Sequence, residues 1–251
     1  MSTKFASQDK YNRFKKKLRY GGFKFTCNMC GFKARKMIST GHKHPIFQEN
    51  VIVGAGFRKN AICPLCCATD KLRLVYYYLA NYTDIFKTPN KILHFAPELE
   101  LKRKILKNHD NSYIEADINP KKAKNVIDIT NIPFEDNSFD YIICNHVLEH
   151  VEDEKQALKE LKRVIKPNGK IILTFPVCLS NKNTFEDPSI KSLEDRFKYY
   201  CQEDHVRLYG LDFASRAKKV GLKTKTFEPD AKIAQKYAFS KAGIVYILKK
   251  N

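Results

Sequence analysis

The sequence predicts an α/β protein: an open, mostly parallel sheet with one antiparallel hairpin at its edge, preceded by a small cysteine-rich module. Two observations carry this. From Val126 to Pro176 the chain alternates strand, loop, strand, helix and strand, the rhythm of the second half of a parallel α/β sheet. Before it, two Cys-x-x-Cys pairs stand 32 residues apart, in a stretch with few aliphatic side chains. A chain of 251 residues with 43% hydrophobic content is long enough to bury a sizeable core around such a sheet.

Taken in order, residues 1–20 predict a short helix with Tyr11, Phe14 and Leu18 on one face, ended by Gly21-Gly22. The pairs Cys27/Cys30 and Cys63/Cys66 follow. Four thiolates at this spacing suit the tetrahedral site that Zn2+ prefers, so a structural zinc-ribbon-like centre is expected. A module this poor in aliphatics would draw much of its folding energy from the ion. Cys67 could compete with Cys66; the two-residue spacing favours Cys66 and leaves Cys67 as a buried or accessory thiol. His42 and His44 read as loop residues. Disulfides are not expected in a chain without an export signal. Leu72, Val75, Tyr76, Leu79 and Tyr82 recur at helical spacing, and Tyr76-Tyr77-Tyr78 could serve either as a packing face or as a stacking platform for bases. Thr88-Pro89-Asn90 marks a boundary, giving an N-terminal region 1–89 and a main domain 90–251.

In the main domain, Lys91–Ala96 reads as the first strand and Glu98–Leu106 as its helix. The crossing between them, His94-Phe95-Ala96-Pro97-Glu98, lacks the glycines that let a backbone approach a nucleotide. Strand two ends at Asp117, placed to take both hydroxyls of a ribose. Strand three ends at Asp128, placed to accept from an adenine amino group while Ile129 packs on the ring. Strand four runs Phe139–Cys144 into Asn145-His146. A helix from Glu152 to Ile165 stops at Pro167-Asn168-Gly169, and Lys170–Phe175 is the fifth strand. A helix over 211–220, with Leu211, Phe213, Ala217 and Val220 as its apolar side, precedes edge strands at 222–227 and 244–248, with a solvated Lys-rich link between them.

The segments IPFEDNSFDYIICNHVLEHV and ALKELKRVIKPNGKIILTFP resemble the post-cofactor motifs of class I S-adenosylmethionine (SAM)-dependent methyltransferases, which have a Rossmann-like sheet. LHFAPE is similar to a subgroup that carries a Cys-x-x-Cys knuckle region in front and is often associated with surface-polysaccharide and sugar modification. The resemblance implies that Phe95, Ala96, Pro97 and Glu98 line the methionine end of SAM and that Asp117-Ile118 meet the ribose. It places Asp128-Ile129 at the adenine and Asn145-His146 beside the transferable methyl. Cys67 and Asp70-Lys71 depart from what the subgroup would have.

For a hydroxyl acceptor a base must take the proton as the bond forms, and histidine suits this. His146, His150 and His205 are the candidates. His205 leads, because Asp204, Arg207 and Tyr209 surround it and DHVRLYG recurs in the subgroup. Arg207 and Tyr209 are then expected on the substrate, Arg207 on a phosphate or carboxylate. Metal assistance through Glu149 and His150 is a lesser alternative, and His94 reads as structural.

The formal charge of +19 is uneven. Residues 1–89 hold 17 Lys/Arg against 4 Asp/Glu, and the remainder 29 against 23. A basic front attracts polyanions, so nucleic acid is an alternative partner to a small anionic or sugar-containing substrate. The abundance of Lys, Asn and Ile also fits an AT-rich genome. No apolar run reaches the roughly 20 residues of a membrane span, and the N-terminus lacks a signal-peptide core, so a cytoplasmic protein is expected. Three functions follow: a SAM-dependent methyltransferase, by expectation an O-methyltransferase, acting on a sugar, sugar-phosphate or glycan-precursor hydroxyl; an RNA methyltransferase gripping its substrate with the zinc module; or a non-enzymatic binding module with a degenerate SAM site.

Overall fold

The computed structural model describes residues 2–43, 46–49, 51–107, 112–240 and 243–250; His44 lies outside them. The first helix, α1 (Ser2–Tyr20), ends where Gly21 begins β1 (Gly21–Thr26). Its Tyr11, Phe14 and Leu18 all face solvent. The module continues through β2 (Lys33–Ala34), β3 (Ile38–Thr40), α2 (Ile46–Glu49), β4 (Ile52–Val53) and β5 (Arg58–Ile62). Thr69 caps α3 (Asp70–Tyr82) by accepting from Leu72 N, so the helix starts directly after the second knuckle.

The main sheet comprises β6 (Lys91–Phe95), β7 (Ser112–Asp117), β8 (Asn125–Val126), β9 (Phe139–Asn145), β10 (Ile165–Thr174), β12 (Leu222–Phe227) and β13 (Val245–Lys250); β11 (Val177–Cys178) lies outside it. Its order is β12-β13-β10-β9-β6-β7-β8. β13 runs antiparallel to both neighbours and the remaining pairs are parallel, which is the expected sheet with its edge hairpin. The helices of this half are α4 (Leu99–Ile105), α5 (Glu154–Val164), α6 (Leu193–Tyr200), α7 (Phe213–Lys219) and α8 (Ala231–Tyr237). Strand order reverses between β6 and β9, and the crevice above their carboxyl ends is where such sheets bind ligands.

Each face of the sheet has its own core. On one side α5 and α7 bury Leu158, Leu161, Val164, Phe213 and Ala217 against Leu93, Ile142 and Ile171. On the other, α3 and the knuckles bury Phe25, Met29, Val75 and Leu79 against Ile92, Ile143, Ile172 and Ile247, so residues from both sides of position 89 share one core.

Three expectations change, and one open alternative is decided. β10 begins at Ile165, already paired with Phe139, and an irregularity between Ile165 and Lys170 absorbs Pro167-Asn168-Gly169 instead of breaking the strand. Leu211 is exposed, and α7 starts only at Phe213. The link from β12 to β13 is not wholly solvated: it forms α8, and Ala234, Ala238 and Phe239 join the knuckle-side core. The tyrosine run is a packing face, with Tyr77 against Phe227, Tyr237 and Phe239 and Tyr78 stacked on Tyr82.

One side chain ties the knuckle to that link. Arg73 is fully buried; Nη1 donates to Ala61 O and Ala68 O, and Nη2 to Tyr237 O and Ala238 O. A buried guanidinium without a carboxylate partner is costly. The cysteine sulfurs nearby, when ionised, supply compensating charge.

Candidate active site and metal centre

The two knuckles are copies of one turn. In each, the first cysteine's carbonyl accepts from the residue four on (Gly31 N to Cys27 O, Cys67 N to Cys63 O), and its N–H donates to the residue five on (Phe32 O, Ala68 O). Both turns need a left-handed residue at the fourth step, and Gly31 (φ +75°) and Cys67 (φ +62°) fill it. Cys67 is therefore exposed, not a buried accessory thiol. The sulfurs of Cys27, Cys30, Cys63 and Cys66 gather within 4.8 Å of one another. Cys27 and Cys66 stand 3.6 Å apart, Cys30 and Cys63 3.8 Å. A tetrahedron with arms of about 2.3 Å has edges of about 3.8 Å, so the quartet fits a thiolate-held ion and is too open for disulfides. Hydrogen bonds among the four push Cys30 and Cys63 down while Cys27 and Cys66 rise, so the four thiols are tightly coupled to one another.

At the reversal point of the sheet lies a cavity of about 650 Å³, a size that suits a small-molecule ligand. Seven predicted cofactor residues line it: Phe95, Ala96, Asp117, Ile118, Asp128, Ile129 and His146. The missing glycine is explained by Ala96, which adopts φ +46° itself and so turns the chain away at the strand end with only a methyl side chain. Asp117 Oδ1 accepts from Asn119 N, and Asp128 Oδ1 from Thr130 N and Oγ1, which fixes both carboxylates at the rim. Pro97, Glu98 and Asn145 are not among the lining residues. Glu98 instead takes His94 Nε2–H (2.9 Å) and Asn145 Nδ2–H (3.2 Å), and Thr174 Oγ1 donates to Asn145 Oδ1, so these groups brace the floor from behind. Burial opposes the charge on Glu98, yet the bond from His94 holds its carboxyl below the usual range.

A second, smaller cavity of about 210 Å³ adjoins the first. One wall is Gly41, His42, Phe47, Gly54, Ala55, Gly56, Arg58 and Lys71 of the module; the other is Pro176, Phe197, Cys201, Gln202 and His205. Pairing of β4 with β11 and a small core of Phe47, Ile52, Cys178, Tyr200 and Leu208 hold the walls together. His146 and His150 line both cavities.

The sequence Asn145-His146-Val147-Leu148-Glu149-His150 makes a tight turn after β9, with His146 in a left-handed conformation (φ +53°) and a 3-10 turn over Leu148–His150. The three-residue step brings His146 Nδ1 to 2.9 Å from Glu149 Oε1. A carboxylate can only accept, so Nδ1–H donates and Nε2 carries the lone pair. Neither His146 Nε2 nor Glu149 Oε2, both buried, has a hydrogen-bond partner among the described residues. Burial and then Lys71 push His146 below the ordinary histidine range, against the pull of Glu149. Burial opposes ionisation of Glu149 as well, but the hydrogen bond from His146 together with the charges of His146, His205 and His150 lowers the carboxyl. Burial also pushes His205 down. Lys71, whose Nζ donates to Gly54 O, is lowered to about 8 by burial and then by Arg58.

Arg207 and Tyr209 line neither cavity. Arg207 is buried, and its guanidinium donates to Glu186 and to the carbonyls of Leu148, Val151 and Glu152. Tyr209 OH donates to Glu154 Oε1. These bonds tie Arg207 to the turn that carries Glu149 and His150 and Tyr209 to the start of α5, so neither side chain is placed where it was expected, on a substrate in either cavity. Two polar groups gain a place that the sequence did not give them: Glu149, expected only in a lesser metal role, and Lys71. The pairing of Glu149 with His146 has a local signal, since His-x-x-Glu puts the two side chains on one face of a helical turn; Lys71 has no comparable one.

A family model described as a methyltransferase domain matches residues 101–173. The demethylmenaquinone methyltransferase of Staphylococcus haemolyticus (strain JCSC1435) is 36% identical over 117 residues, 46% of this chain and 45% of that protein. Its counterpart in Staphylococcus aureus (strain JH9) is 32% identical over 121 residues, 48% and 46% of the respective chains. The chain thus spans about half the length of the curated relatives it matches. A SAM-dependent methyltransferase from Archaeoglobus fulgidus aligns over 73% of this chain and 95% of its own, with a TM-score of 0.46 and 16% identity.

Proposed function

We propose that this protein is a SAM-dependent methyltransferase, that SAM occupies the larger cavity, and that the smaller cavity takes a small polar acceptor such as a sugar or sugar-phosphate hydroxyl. The observation that carries the reading is the position of His146, which lines both cavities and whose buried Nε2 has no hydrogen-bond partner among the described residues. When bound, SAM supplies a methyl on a sulfonium whose sulfur keeps the C–S electron pair as the methyl leaves. Asp117 and Asp128 hold the ribose and adenine, Ile129 packs on the base, and the Ala96 turn admits the methionine end. His146 Nε2 takes the hydroxyl proton as the new C–O bond forms, and Glu149 stabilises the imidazolium that results. Position moves the base from His205, the leading expectation, to His146. His205 lines only the acceptor cavity and orients the acceptor with His150.

Acceptor class follows from lining. Arg58, Lys71, His42, Gln202, Glu149 and the other histidines make the smaller cavity polar, with Arg58 paired to Asp70 and Lys71 left as a cation without a carboxylate bonded to it among the described residues. That suits an anionic or hydroxylated molecule better than the demethylmenaquinone for which the relatives above are named, and the family match ends at residue 173, before the acceptor wall closes. Zn2+ in the cysteine quartet is structural, since it holds the module that forms one of those walls. RNA is a second reading because the front of the chain is strongly basic and carries exposed aromatics such as Tyr11 beneath Lys15 and Phe23 beneath Lys33.

The test is calorimetry with SAM followed by methyl-transfer assays on phospho-sugar, nucleotide-sugar, RNA and reduced-quinone pools. His146→Gln is expected to change SAM affinity by less than about tenfold and to lower turnover by on the order of 10². No SAM binding would leave the non-enzymatic reading; near-normal turnover would remove His146 as the base; turnover on RNA alone, falling steeply with salt, would replace the sugar reading.

A further inference from the structure

Beneath the acceptor cavity, Glu149, His150 and His205 bring one ligating atom each to within 4.8 Å of one another. The residues come from two stretches far apart in the chain, joined by the bond from Val206 N to Glu149 O and by Arg207 on the carbonyls around the turn. The rings of His150 and His205 meet edge to face at 4.7 Å.

Both histidines are held the same way. His205 Nδ1 lies 3.0 Å from Tyr200 O, and His150 Nδ1 lies 3.0 Å from Asp204 O. A carbonyl can only accept, so each ring carries its proton on Nδ1 and leaves a bare lone pair on Nε2. This is the tautomer that metal-bound histidines have, with the far nitrogen anchored to a carbonyl. The third donor is Glu149. Its Oε1 takes His146 Nδ1–H, while Oε2 is buried with no partner among the described residues. Leaving a buried carboxylate oxygen bare is unfavourable, and a cation beside it would offset that cost. Two imidazole nitrogens and one carboxylate oxygen, beside an open cavity of about 210 Å³, form a three-donor site with positions left for an exogenous ligand.

We propose that Glu149, His150 and His205 bind a divalent first-row transition-metal ion on the floor of the acceptor cavity, separate from the cysteine quartet. The donors are borderline nitrogen and hard oxygen, whereas the quartet offers only soft thiolates, so the two sites differ in the ions they retain. The placement of this ion against an acceptor rests on the function proposed above; the binding site itself does not.

The experiment titrates untagged, zinc-replete full-length protein with Ni2+ by calorimetry, alongside Glu149→Gln and His205→Asn. The asparagine of the second variant keeps a donor for Tyr200 O and deletes Nε2; the glutamine of the first keeps the shape and removes the charge. One saturable Ni2+ per chain is expected in the wild type, weakened about tenfold or more in both variants, with one zinc per chain and the thermal midpoint retained as the check on folding. Absence of saturable Ni2+ binding in the wild type, or wild-type affinity in both folded variants, overturns the site. Binding of S-adenosylhomocysteine is measured on the same samples: its failure with Ni2+ binding intact strikes the cofactor reading alone, and the reverse strikes the metal site alone.

Discussion

The two cavities that meet at His146 are built in opposite ways. The larger is lined by residues between Phe95 and Asp153, with only Asp204 added, and Asp117, Asp128 and His146 sit at the end of a strand or in the turn after it. The smaller is made by three stretches, 41–71, 146–150 and 176–205, held by two-residue strands and a small core of its own. The first inherits its geometry from the sheet. The second exists only when the N-terminal module is seated, so damage far from either cavity should fall unequally on the two.

The largest such effect is expected from Cys63→Ser. With an ion in the quartet as proposed, loss of one thiolate would remove much of its contribution and reduce the negative charge that Cys27, Asp70, Cys63 and Cys66 place beside buried Arg73, at an expected cost of at least about 4 kcal/mol in unfolding free energy. Denaturant unfolding should show it, with acceptor turnover failing at lower denaturant than SAM binding. Simultaneous loss of both would mean that the halves are not separable. Asp117→Ala probes the opposite half: SAM affinity should fall roughly tenfold to a hundredfold by calorimetry, as expected for lost hydrogen bonds to a charged group, while the folding midpoint barely moves. Unchanged SAM affinity would contradict the strand-end design.

Lys71 separates the halves by pH. Its folded pKa, about 8, lies below the roughly 10.4 of an unfolded lysine. Between those values the unfolded chain binds more protons, so this residue makes stability rise with pH through that window and leaves the folded state least favoured below it. In Lys71→Met the rise from pH 8 to 9 should be smaller than in wild type by about 1 kcal/mol, and an identical slope would argue that Lys71 is solvated. The smallest effect sharpens the module alone. Cys67→Gly relieves a left-handed side chain in the second knuckle and should raise stability by ~0.5–1 kcal/mol with zinc content unchanged. A loss of zinc would mean that Cys67, not Cys66, is the ligand.

This asymmetry also decides what could be read without coordinates. The placement of Asp117 and Asp128 at the cavity and the gathering of the four cysteines were legible because strand ends and knuckles are local, with spacing set by a few residues. The left-handed turn at Ala96 left no glycine to announce it, since alanine can take that conformation at modest cost. Pro167-Asn168-Gly169 carries the composition of a stop, yet the pairing of Ile165 with Phe139 overrides it. Arg207 shows the deeper limit: an arginine beside acids in a loop has the same sequence signature whether it meets a phosphate or three backbone carbonyls. The pairing of β4 with β11 joins distant parts of the chain through two-residue strands, too short for any periodicity to reveal.

Arg73 gives the molecule an order of assembly. On the ribosome the second knuckle and the start of α3 emerge long before Tyr237 and Ala238, whose carbonyls Arg73 needs. Until they arrive, half of its donor set must be served by water, which keeps that corner of the core wet. The nascent module can gather its cysteines early, but it becomes dry only when the last hairpin of the sheet is translated, so the first part of the chain to take shape is among the last to be sealed.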